Sequence, residues 1–152
     1  GMTVRAKLPM GTCVFKESYS KIAFLIGGIG ITPVISIIEH IGMRQLPTEV
    51  SLLYSNRHEN DIAFRHELDA WAAANPRIRC IYTLTECTTP VPSCLSGVIT
   101  EAMLDKAIPD IRERKTFIFG PPAIVTALKA LCQRHGCPPD SLVTESFLGY
   151  ES

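Results

Sequence analysis

Between a short apolar run and a helical one lies Gly27-Gly28-Ile29-Gly30-Ile31-Thr32-Pro33. Glycines let a backbone come close to a ligand and permit positive φ. Thr32 is placed to cap the helix, and Pro33 to occupy its first position, where no N–H is needed. A helix begun this way offers free amides and the positive end of its dipole to a phosphate or pyrophosphate. Pro33 stands where Gly-x-Gly-x-x-Gly would have its third glycine, and no Gly-Lys-Ser/Thr follows. Neither the full dinucleotide fingerprint nor a P-loop is therefore present. A plain strand–helix corner would use the same glycines.

A second corner of this kind is Gly120-Pro121-Pro122, again after an apolar run and before a helical stripe. Two such corners suit the point where the strand order of an open sheet reverses, the place where these folds bind ligands. Ser55-Asn56-Arg57-His58 follows another apolar run. It suits an adenosine ribose with Arg57 near a phosphate, or a solvated loop. Thr83-Leu84-Thr85-Glu86 ends a further run. A carboxylate at Glu86 would accept from a ribose diol and repel a 2′-phosphate, which points to NADH rather than NADPH.

The elements that must position these corners are legible from periodicity. Five apolar runs, Ile22–Ile26, Val50–Tyr54, Ile78–Tyr82, Thr116–Phe119 and Leu142–Thr144, read as strands. The first and fourth barely alternate, as in parallel strands buried on both faces. Helical stripes lie between them: Val34, Ile37, Ile38 and Ile41; Phe64, Leu68 and Trp71; Ile124, Leu128 and Leu131. The third stripe stops at Gly136 before Pro138 and Pro139. Thr100 reads as the N-cap of a shorter helix through Met103, Leu104 and Ala107. Strands alternating with helices imply right-handed βαβ units, hence a doubly wound α/β fold with a five-stranded parallel sheet and helices on both faces. Residues 87–97 form the longest irregular stretch, and residues 1–20 fall outside the rhythm.

Composition narrows the functional classes. The chain has 152 residues, room for one ordinary domain, with Lys plus Arg at 15 and Asp plus Glu at 15. A net charge of zero argues against nucleic acid or an anionic membrane as partner. Ile22–Ile38 is uncharged over 17 residues, short of the ~20 of a membrane span, and it contains Gly27, Gly28, Gly30 and Pro33. No membrane insertion is expected. The six cysteines (13, 80, 87, 94, 132 and 137) show no Cys-x-x-Cys or zinc-finger spacing, so no metal is expected. Without a visible signal peptide they read as reduced thiols of a cytoplasmic protein, Cys80 in the core and Cys87 and Cys94 in a loop. Gly1 before Met2 reads as a protease scar ahead of either a start methionine or an internal one.

Taken together, Gly27 through Pro33, Tyr54-Ser55-Asn56-Arg57, Gly120-Pro121-Pro122 and Glu145-Ser146-Phe147 resemble the nucleotide-binding domain of ferredoxin–NADP reductase-like flavoenzymes. The resemblance covers about residues 20–150. It implies a domain that binds NADH or NADPH and presents the nicotinamide to FAD or FMN held by a separate flavin-binding domain or subunit. It implies that Gly28, Gly30 and Thr32 meet the pyrophosphate and nicotinamide side, that Gly120 and Pro121 flank the nicotinamide pocket, and that Phe147 sits near the docked flavin. Pro33, Ser55, Asn56, Arg57, Thr85, Glu86 and Pro122 complete the expected cofactor-binding set; no catalytic residue is named. Glu145 is a candidate to tune the pocket or an ordinary strand end. An electron-acceptor protein such as a ferredoxin is the implied partner beyond the flavin.

Residues 8–15, Leu8-Pro9-Met10-Gly11-Thr12-Cys13-Val14-Phe15, are similar to the tail that closes the family's flavin domain. Residues 1–20 are thus expected to be a remnant of that domain or a linker, and 21–152 the NAD(P)H-binding domain. The family's Arg-x-Tyr/Phe-Ser/Thr flavin motif is missing from the sequence. Phe119 stands where many members have cysteine, and Thr85-Glu86 replaces a Ser-Arg pair typical of NADPH-selective members. The alternatives are a stand-alone nucleotide-binding or regulatory module without turnover, and an unrelated doubly wound domain binding another phosphate ligand.

Overall fold

A computed structural model describes residues 14–148. Most of the expected flavin-domain tail at 8–15 lies outside the described residues. The sheet has six strands in the order β4-β3-β2-β1-β5-β6, and every pairing is parallel. The strands are β1 (Lys21–Gly27), β2 (Glu49–Asn56), β3 (Ile78–Leu84), β4 (Cys94–Ser96), β5 (Lys115–Gly120) and β6 (Leu142–Ser146). The helices are α1 (Thr32–Met43), α2 (Arg65–Ala74), α3 (Glu101–Ala107) and α4 (Pro122–Arg134). All five expected strands are present. The sixth, β4, falls in the stretch read as irregular. It is a three-residue edge strand paired on one side only, Tyr82 with Cys94 through Leu84 with Ser96. A strand that short has no periodicity to betray it.

The doubly wound arrangement follows from which face each side chain takes. Phe24, Ile26, Leu52, Tyr54, Phe117 and Phe119 point to one face, where Val34, Ile37, Ile38 and Ile41 of α1 and Leu68 of α2 cover them. Ala23, Leu25, Leu53 and Ile118 point to the other, beneath Leu104 of α3 and Val125, Leu128 and Leu131 of α4. Each large side chain so buried contributes about 1.5–3 kcal/mol. Central β1 is apolar on both faces because both are covered.

The strand order turns at β1 and β5. The chain winds from β1 through β2 and β3 to β4, then crosses back to place β5 on the opposite side of β1. Their corners interlock with no space for a side chain. A Cβ on Gly30 would lie 2.5 Å from the Phe119 carbonyl carbon and oxygen, and one on Gly120 (φ +154°) would lie 2.9 Å from the Gly27 oxygen. Residues 14–20 pack on this domain. Phe15 and Tyr19 rest against the α1-side core, and the Ser20 carbonyl accepts from the Glu49 amide at 2.9 Å.

No helix among the described residues is long and apolar enough to cross a membrane. Cys80, Cys87, Cys94, Cys132 and Cys137 are free thiols. Burial pushes Cys80 and Cys132 up to about 12 each.

Candidate functional site

The crevice at the β1/β5 turning point is a cavity of about 510 Å³ at the carboxyl ends of the strands. One wall is the first corner, Gly28, Ile29, Ile31 and Thr32. The opposite wall comes from β2 and its continuation: Tyr54, Ser55, Asn56, Arg57, Asp61, Ala63 and Phe64. Thr85 closes one side, and Pro121 with Ile124 closes the other. Of the thirteen residues expected to meet the cofactor, Gly28, Thr32, Ser55, Asn56, Arg57, Thr85 and Pro121 line this one cavity.

The others stand behind or beside it. Gly30 is buried against the Phe119 carbonyl, so its missing side chain serves the packing of β1's corner on β5. Gly120 adopts φ +154° under Gly27, and Pro122 is the first residue of α4. Phe147 donates its amide to the Gly120 carbonyl at 2.9 Å and meets the Phe119 ring edge-on at 6.3 Å. Phe119 is wholly buried. Glu86 stands at the rim. Its carboxylate faces Arg57 Nε at 3.8 Å and His58 Nε2 at 3.5 Å.

The first corner differs from its expected form. A 3-10 turn over Gly28–Ile31 precedes α1, and Thr32 is already helical (φ −55°, ψ −50°). A capping side chain needs an extended backbone, which Thr32 lacks. Its hydroxyl instead donates back to the Ile29 carbonyl at 3.3 Å. Pro33 accordingly takes the second helical position, not the first. Gly28, at φ +50° with nothing within 4 Å of its Cβ direction, opens the turn toward the cavity.

Two helix beginnings thus reach one cavity, and neither has a side-chain cap. At α4, Pro122 has no N–H, and the amides of Ala123 and Ile124 have no acceptor within the helix. Unused amides at positive dipole ends suit a pyrophosphate. Asn56 is 6% exposed, and its Nδ2 has no partner. An unpaired buried amide costs about 1–3 kcal/mol, which a ligand acceptor in the cavity would relieve. Beside it, the Tyr54 hydroxyl donates to the Gly28 carbonyl at 3.1 Å, and burial raises its pKa above the ordinary phenol value. The donor set therefore fits a dinucleotide.

Phe64 is the residue that periodicity misplaced. Read as part of an apolar helical stripe with Leu68 and Trp71, it is 45% exposed on the cavity wall, with a left-handed backbone (φ +58°, ψ 21°) ahead of α2. A non-glycine residue held there is strained, a pattern that clusters at ligand sites.

Residues 24–130 match the family model described as the oxidoreductase NAD-binding domain. The chain belongs to this family. Among curated relatives, nitrate reductase [NADH] 1 of Arabidopsis thaliana is 36% identical over 120 residues, covering 76% of this chain and 13% of its own. Nitrate reductase [NADH] 2 of the same plant is 33% identical over 139 residues, or 82% of this chain and 15% of its own. This NAD-binding domain thus spans a minor part of the relatives it matches. Among solved structures, the cytochrome b5 reductase domain of Ulva prolifera nitrate reductase superposes with a TM-score of 0.74 at 29% identity, over 84% of this chain and 50% of that one. Amycolatopsis cytochrome P450 reductase GcoB gives 0.72 at 26% identity, over 84% and 38%.

Proposed function

We propose that this domain is the nicotinamide-nucleotide half of a flavin-dependent oxidoreductase, holding NADH for hydride transfer to FAD or FMN carried by a separate domain or subunit. The observation that carries the reading is the cavity where two uncapped helix beginnings and the unpaired Asn56 amide converge. The NADH nitrate reductase and the cytochrome b5 reductase domain, both longer than the part matched here, support a further domain beside this one, and the cytochrome P450 reductase GcoB supports a redox protein as final acceptor.

In this reading the pyrophosphate lies over Gly28 and the α4 amides, and Asn56 donates to the nucleotide. Phe64 offers a stacking face to the adenine, and Arg57 stands toward the ribose. Pro121 and Ile124 wall the nicotinamide side. Phe147, at the end of β6, faces the docked flavin. A bound nicotinamide supplies the hydride; the chain contributes orientation and a dry contact, not acid–base chemistry.

Titration with NADH, followed by calorimetry or by nucleotide fluorescence, is expected to saturate at micromolar to sub-millimolar concentration. Addition of FAD or FMN is then expected to give flavin-dependent loss of NADH absorbance. Absence of NADH binding up to millimolar concentration would sink the proposal. Binding without any flavin-dependent oxidation would point to a module without turnover.

A further inference from the structure

The cavity wall supplied by the segment between β2 and α2 has a support that the binding reading does not use. Asp61, Ala63 and Phe64 line the cavity from this segment, and of residues 61–64 only Ile62 is buried. Phe64 keeps its left-handed backbone while 45% exposed. Packing of Phe64 itself therefore does not hold the wall in place. A non-glycine residue with positive φ persists only where its surroundings over-determine it.

Those surroundings centre on Arg65, the first residue of α2. Its Nη1 lies 2.6 Å from a Glu59 carboxylate oxygen, so the two ends of the wall segment are tied to each other. Nη2 donates to the Ser93 hydroxyl in the loop before β4, and Nε faces the Asp69 carboxylate at 3.7 Å. The guanidinium lies over the Tyr82 ring, 5.2 Å from its centre. Tyr82, 4% exposed on β3, in turn donates to Asp69 at 2.6 Å. A planar fork of N–H donors that also stacks on an aromatic face meets all these partners at once. Inside the tied segment, the Asp61 carboxylate accepts from the His58 amide at 3.1 Å, and the His58 ring accepts from the Asp61 amide.

An ion pair between exposed groups adds little to the stability of a fold. This one closes a short segment on itself, so it acts on that segment's freedom. A ligand binds only the molecules whose wall holds the competent shape, and affinity falls with that fraction.

We infer that Arg65 is a positioning residue for nucleotide binding: by holding Glu59 across the turn, it keeps Asp61, Ala63 and Phe64 in the shape that lines the cavity. The inference rests on the nucleotide-site reading above. Arg65 itself does not line the cavity, so its effect reaches a ligand only through the wall.

The experiment is calorimetric titration with NADH on the wild-type chain, Arg65→Gln, Glu59→Gln and the double variant, with amide hydrogen exchange followed on the same proteins. Each variant is expected to bind NADH about threefold to tenfold more weakly, as for a wall competent in a third to a tenth of the molecules. The double variant is expected to bind no more weakly than either single one, because the pair acts as a unit. In the free variants, exchange is expected to quicken at Asp61 and Ile62, whose amides are bonded within the turn. Saturating NADH should restore the wild-type rate there, with β1 and β5 protected throughout. Affinities equal to wild type, or losses that add in the double variant, would overturn the inference and leave the binding reading intact. If Arg65→Gln does not fold, Glu59→Gln, a neutral isostere at an exposed carboxylate, decides by its own affinity and exchange. Absence of NADH binding by the wild-type chain would overturn both readings.

Discussion

Phe64 holds a left-handed backbone while nearly half its surface faces solvent, so its place on the cavity wall has an energetic cost that burial does not offset. Substitution separates the two roles. Phe64→Ala and Phe64→Gly remove the same ring, but only glycine adopts φ +58° freely. Phe64→Gly is expected to be the more stable of the two by about 1 kcal/mol, measured by urea unfolding. Both are expected to weaken NADH binding alike, by about 1–3 kcal/mol if the ring stacks on adenine. Unequal losses of affinity would argue against the stacking role. The sequence showed Phe64 only as the first member of a helical stripe. Spacing counts positions, not the turn at which a helix begins, and here α2 starts one residue later. Asn56 was legible because it ends an apolar run where loops meet ligands; its unpaired amide was not, since that depends on what surrounds it. Gly30 was legible as a necessary glycine, with a close ligand and a tight corner both left open as the reason, and the packing of the corner is what the structure shows. It faces a neighbouring strand's carbonyl, and spacing along one chain cannot distinguish that from a phosphate.

At the scale of elements, long apolar strands and the buried stripes of α1 and α4 were readable because a two-sided sheet leaves apolar residues at nearly every position. Thr100 caps α3 as expected, accepting from the Met103 amide at 3.2 Å. The cap at Thr32 failed because a 3-10 turn extends the helix backward through the glycines. One element-joining device had no sequence signal. Arg114, 8% exposed, clamps the amino-terminal edge of the sheet. It donates to Asp110 at 2.6 and 3.0 Å, to the Ile22 carbonyl of β1 at 3.1 Å, and to the Glu49 carbonyl of β2 at 3.4 Å. Hydrogen bonding from Arg114 holds the Asp110 carboxyl below the usual carboxylate range, and Lys21 adds to the effect. A folded-state value below the unfolded one means stability that is present above about pH 4 and lost as the pH falls through the lowered value. Asp110→Asn is therefore expected to cost about 1–2 kcal/mol at pH 7. Its urea midpoint should converge with that of wild type as the pH falls through the lowered value. A constant difference across that range would show that the clamp acts by packing instead of charge.

For the whole molecule, the clamp and the cavity lie at opposite ends of the same strands. Arg114 touches β1 at Ile22, and the cavity opens past Gly27. Five residues of extended chain separate them, roughly 17 Å at the rise of a β-strand. Sites that far apart with no shared partner add within about 0.3–0.5 kcal/mol. The interlocked corners of β1 and β5 also make the cavity part of the cooperative core, so a ligand bound there stabilises the entire domain. NADH at a hundredfold excess over its Kd is expected to contribute about 2.7 kcal/mol. In a domain of this size that is a rise in Tm of about 5–11 °C. The same increment is expected in Asp110→Asn as in the wild-type chain at pH 7, because relaxing the amino-terminal edge leaves the corner glycines where they are. If the variant instead gains markedly less from NADH, the sheet transmits strain along β1 from Arg114 to Gly28. The two ends would then be a single coupled unit.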